Sequence, residues 1–119
     1  MDFSHTNYPI ENEYPKLVRD LIPEIIKEKM GKYPETKILK EDGDFLNALL
    51  QKMVEEAVEL QKSAENNNLE EELADIFEII DAVLALQGKS REDIIQIQNE
   101  KRKKRGGFTK RILMLKKAA

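Results

Sequence analysis

Three carboxylates crowd the stretch VEEAVEL, residues 54–60: Glu55, Glu56 and Glu59 stand among Met53, Val54, Ala57, Val58 and Leu60. On a helix, Glu55 and Glu59 are four positions apart and point the same way, and Glu56 lies three before Glu59. That puts them beside the apolar stripe, where a helix needing only solubility would not place acids. Glu72 and Asp75, also three apart, form a second acidic pair further along. If NNN at 66–68 folds the two segments antiparallel about residue 67, position 59 comes opposite about 75 and position 62 opposite about 72. Two acidic patches then confront each other near the core.

Carboxylates gathered in a partly dry space repel one another, and opposite charge or proton uptake must offset that. From residue 53 to 86 there are ten acids (Glu55, Glu56, Glu59, Glu65, Glu70, Glu71, Glu72, Asp75, Glu78, Asp81) against one base, Lys62. A bound cation is the simplest counter-charge. Oxygen ligands without His or Cys favour a hard ion, Mg²⁺ with Mn²⁺ as a substitute, over zinc or copper. Calcium is disfavoured because EDGDF at 41–45 is too short for a loop of alternating ligands. The competing reading is a solvated acidic helix face in an i,i+4 pattern, but the bases that such a pattern uses are missing between 53 and 86.

The elements that must hold these residues are helices. Phe45, Leu49, Met53, Ala57, Leu60 and Ala64 recur every three or four positions from Asp44 to about Glu65, with Leu46, Leu50, Val54 and Val58 as a second stripe. After the turn, Asn68 and Glu71 resemble a capping box, and Leu69, Leu73, Ile76, Ile80 and Val83 make one stripe of a helix to about Gln87 that stops at Gly88. A shorter helix precedes this pair, with Asp20 as N-cap, Pro23 in its first turn and Gly31 closing it. KYPETKILK is an extended connector. Ser90 and Asp93 open a last helix to about Lys104, and GG at 106 and 107 breaks it before the apolar-basic tail FTKRILMLK. Residues 1–14 read as a loosely ordered arm, and residues 15–119 as a single all-α domain. Its core is an antiparallel helical hairpin with flanking helices, and apolar faces this wide predict completion into a bundle by oligomerisation.

The composition agrees. The chain has 119 residues, 36% of them charged, and a net charge of -3, which suits one helix-rich domain. The absence of cysteine excludes disulfides, zinc-thiolate sites and cysteine nucleophiles. No apolar run approaches the roughly 20 residues of a membrane span and no signal peptide opens the chain, so the expected location is cytoplasmic, without a membrane partner. Residues 100–119 carry nine bases (Lys101, Arg102, Lys103, Lys104, Arg105, Lys110, Arg111, Lys116, Lys117) against Glu100. One basic run beside a strongly acidic surface, with no aromatics interleaved, makes a poor nucleic-acid track. At least half of the charges of the block Lys101, Arg102, Lys103, Lys104 and Arg105 suit a solvated helix C-terminus.

Glu55-Glu56-x-x-Glu59, a spacer, then Glu72-x-x-Asp75 resembles the signature of the all-alpha nucleotide pyrophosphohydrolases. YPKLVRDLIPEII before it and KRKKRGGF after it resemble the MazG-like, phosphoribosyl-ATP-pyrophosphohydrolase-like branch, so the likeness covers residues 14 to about 116 in order. The resemblance implies a Mg²⁺-dependent enzyme that cleaves a nucleoside triphosphate, or a related nucleotide, at the α-phosphorus to monophosphate and pyrophosphate. Glu55, Glu56, Glu59, Glu72 and Asp75 would be its metal-binding and catalytic residues. Lys104 and Arg105, with Arg19 and Lys16 as further candidates, would contact the substrate's phosphates. A homo-oligomer, dimer or tetramer, is implied as well. The alternatives are a non-catalytic nucleotide- or metal-binding protein on the same scaffold, and true phosphoribosyl-ATP hydrolysis.

Overall fold

The computed structural model describes residues 14–65 and 67–118, so all of the expected N-terminal arm except Tyr14 lies outside the described residues. Four helices and no strand occur among the described residues: α1 (Ile22–Met30), α2 (Asp42–Ser63), α3 (Leu69–Leu86) and α4 (Arg91–Arg105). The fold is all-α. None of these helices is long and apolar enough to cross a membrane. The chain divides into two compact units, Met1–Gly88 and Lys89–Ala119.

In the first unit, α1 starts later than Asp20 predicts. The Ile22 N–H donates to the Arg19 carbonyl at 3.1 Å, making a turn that places Leu21, not Asp20, at the N-cap, without a side-chain cap. Pro23 falls at the helix start, where its missing N–H goes unnoticed, and Glu24 favours the positive end of the helix. Gly31 ends α1 in the left-handed region (φ 81°), with its N–H donating to the Lys27 carbonyl at 2.9 Å. The connector that follows contains no helix. It is tied back to α1 where the Tyr33 hydroxyl donates to Glu24 at 3.0 Å.

Helices α2 and α3 pack against each other. Among the described residues, the buried apolar side chains are Leu49 on α2 and Ile79 and Leu84 on α3. Phe45, Met53, Val54, Val58, Ile76, Ile80 and Val83 are half-buried around them. The stripes read from the sequence are therefore only partly covered. Leu50, Leu69 and Leu73 remain 43–49% exposed, and Ala57 and Ala64 are exposed too. The expected Asn68–Glu71 capping box does not form: Asn68 is the N-cap of α3 but makes no side-chain cap bond. The backbone closes that end instead, through the Glu72 N–H donating to the Asn68 carbonyl at 3.2 Å.

The second unit holds α4 and the segment after it. Ser90 and Asp93 open α4 as expected. The Asp93 carboxylate accepts the Ser90 N–H at 2.9 Å and the Ser90 hydroxyl at 3.2 Å, and the backbone bond, then the hydroxyl bond, hold its pKa below the ordinary value. Gly106 closes the helix after the run Arg102, Lys103, Lys104, Arg105, whose charge suits the negative helix end. Every described residue of this unit is exposed.

Candidate metal centre

Helix α2 carries Glu55 and Glu56 into the protein rather than away from it. They are 4% and 9% exposed, while Glu59 is half-buried. Opposite them, α3 presents Glu72 and Asp75, both half-buried. Glu56, Glu72 and Asp75 each offer one carboxylate oxygen, and the three oxygens lie within 4.8 Å of one another. The acids of the two segments thus meet, but in a different register from the one the sequence suggests. Glu56 is the α2 residue whose carboxylate joins those of Glu72 and Asp75. Helix α2 ends at Ser63 and α3 begins at Leu69, so the connection is two residues longer than NNN. The centre of the α2–α3 connection accordingly moves toward the N-terminus, and residues earlier in α2 come level with Asp75.

Two lysines of α2 pair with its glutamates. The Lys52 ammonium lies 3.2 Å from Glu55 Oε1 and 3.5 Å from Glu56 Oε1, and the Lys62 ammonium lies 3.8 Å from Glu59 Oε1. Lys52 is the residue that a charge count starting at Met53 misses. Its position three and four residues before the buried glutamates was the available signal, because that spacing places it on their face of α2. A second base comes from a distance in sequence. Arg19 Nη2 donates to Asp75 Oδ1 at 2.7 Å. The expectation that Lys62 alone opposes the acids is corrected: Lys52 and Arg19 take the two flanks of the cluster.

Glu72, between them, is left over. Its Oε2 is buried and has no hydrogen-bond donor. A buried oxygen in that state costs free energy until a proton or a cation reaches it. Glu56 registers the same pressure. Its pKa is raised from 4.5 to about 7, first by burial and then by the hydrogen bond that its protonated form gives Glu72. Asp75 and Glu72 push it further up by repulsion, and Lys52 opposes them. The three carboxylates thus share a place for one positive charge, which the flanking bases supply only in part. Their all-oxygen donor set and the orphaned Glu72 oxygen fit a hard divalent cation.

The basic candidates divide. Arg19 is at the cluster. Lys16 stands over the Tyr14 ring at 5.2 Å, on the same segment. Lys104 and Arg105 belong to the second unit, exposed in the last turn of α4. A shallow depression of about 290 Å³ lined by Ala57, Val58, Leu60 and Gln61 lies on α2 and contains none of these acids.

Comparison of the chain with protein-family models, with curated proteins and with solved structures finds no match.

Proposed function

We propose that this protein is a Mg²⁺-dependent nucleotide pyrophosphohydrolase, cleaving a nucleoside triphosphate or related nucleotide to the monophosphate and pyrophosphate. The observation that carries the reading is the meeting of Glu56, Glu72 and Asp75 from two helices within 4.8 Å, with a Glu72 oxygen buried and unsatisfied. Those three residues would hold the ion, while Glu55 and Glu59 shape the field around it from α2. When bound, a hard divalent cation neutralises phosphate charge and activates water for attack. The chain's own part is to hold the carboxylates in place on packed helices and to keep Glu56 and Glu72 away from bulk water. Glu72, with a buried Oε2 that meets no donor, would serve as a ligand or as the base for water. Arg19 and Lys16, on the segment before α1, would meet the substrate's phosphates, with Arg offering a bidentate fork.

The α2–α3 pair would be the antiparallel hairpin core of a larger bundle, completed by a homo-oligomer that covers Leu69 and Leu73. A cytoplasmic setting suits this chemistry, and neither nucleic acid nor a membrane enters it. The test is a panel of nucleoside triphosphates, with phosphoribosyl-ATP included, incubated with Mg²⁺ and scored for pyrophosphate against orthophosphate. Pyrophosphate release matched by monophosphate supports the proposal. Orthophosphate as the product overturns it, and binding without turnover across the panel leaves the protein a nucleotide-binding scaffold.

A further inference from the structure

We infer that Arg19 is the internal counter-ion of the acidic cluster, occupying Asp75 in the ion-free chain and giving it up when a cation binds. The inference rests on the reading of Glu56, Glu72 and Asp75 as a cation centre. Its basis is a competition for one side chain. Arg19 Nη2 sits 2.7 Å from Asp75 Oδ1, and Asp75 is also one of the three residues whose oxygens converge within 4.8 Å.

Geometry makes the two uses of Asp75 hard to combine. Ligands on an octahedral magnesium stand about 2.1 Å from the ion and at most about 4.2 Å from one another. Were Asp75 to bind the ion through Oδ1 while keeping Arg19, the guanidinium would lie no further than roughly 5 Å from a doubly charged cation, where like charges repel strongly.

Arg19 is built to let go. Its side chain is 55% exposed and that of Asp75 40%. It rides on the non-helical segment before α1, anchored through the half-buried Leu17 and Val18. Lys52 has a different position. It pairs with Glu55 as well as Glu56, is only 20% exposed, and stands one helical turn from both on the same helix. Lys52 therefore stays as a fixed charge while Arg19 exchanges with the ion. The guanidinium so released is one of the groups proposed above to meet phosphate.

Calorimetric titration of the full chain with Mg²⁺ or Mn²⁺ alone, without nucleotide, tests this. Arg19→Gln should bind the cation more tightly, by up to about fivefold for an exposed ion pair. Arg19→Lys, which keeps the charge, should stay close to wild type. In an Asp75→Asn background, Arg19→Gln should change nothing further. In the wild-type chain, nitrogen-15 NMR of the Arg19 guanidinium should show restricted rotation without the ion and free rotation at saturating Mg²⁺. Unchanged or weaker affinity in a folded Arg19→Gln protein, or a guanidinium signal indifferent to bound Mg²⁺, overturns the inference and leaves the metal centre standing. Failure of the wild-type chain to bind either ion overturns both.

Discussion

Glu56 concentrates the chemistry of the cluster, being buried, paired with Lys52 and close to two other acids. Replacing it with Gln, or Asp75 with Asn, removes one ligand charge while keeping shape. Turnover should fall by more than the roughly 10- to 100-fold that losing an outer-shell partner of a metal site costs, with circular dichroism unchanged. Near wild-type turnover in both variants would sink the assignment. The raised pKa of Glu56 also predicts a pH dependence. Between 4.5 and about 7 the folded chain holds a proton that the unfolded chain has released. Stability of the ion-free protein therefore falls as pH rises through that window and levels off above it. Denaturation in chelator at several pH values should show this slope. In Glu56→Gln, which cannot release the proton, the part of the slope due to Glu56 should be gone.

At the scale of elements, two glycines make opposite demands. Gly31 closes α1 with φ 81°, and a Cβ there would meet nothing within 4 Å. Gly31→Ala thus isolates the cost of the left-handed backbone, about 1–2 kcal/mol. Gly43 lies in the first turn of α2, also with open space around it and without positive φ. Gly43→Ala should stabilise the protein by up to about 1 kcal/mol through helix propensity. Urea denaturation of the two variants should give opposite signs. A loss at Gly43 would mean that the start of α2 is held by something other than its local conformation.

At the scale of the molecule, Leu49, Ile79 and Leu84 make a small core among the described residues, and Leu50, Leu69 and Leu73 are left open. Sedimentation should show an oligomer at micromolar concentration, and Leu73→Glu should shift it toward monomer; a wild-type chain that stays monomeric would remove the proposed bundle. The proposed magnesium site predicts a stability effect of its own. Binding only the folded state, it should stabilise by about 2.7 kcal/mol at a hundred times its Kd. The melting temperature should rise accordingly and return when chelator is added. A melting point indifferent to Mg²⁺ would count against a cation at the cluster.

The helices themselves were legible in the sequence, because local periodicity and helix punctuation carry them. Apolar residues every three or four positions along α2 and α3, the Ser90–Asp93 start of α4 and the glycines at 31 and 106 all act within a few residues of themselves. So did the presence of Glu55 and Glu56 on the inner side of α2, since helical spacing alone ties them to the apolar stripe. What required the tertiary structure was which acids meet and what faces them. That depends on the length of the connection between Ser63 and Leu69, which sets the α2 positions that come level with Glu72 and Asp75. It depends equally on Arg19, which is 56 residues from Asp75 in sequence and 2.7 Å away in space. Only packing that folds the chain back on itself brings such a pair together, because no local spacing encodes it.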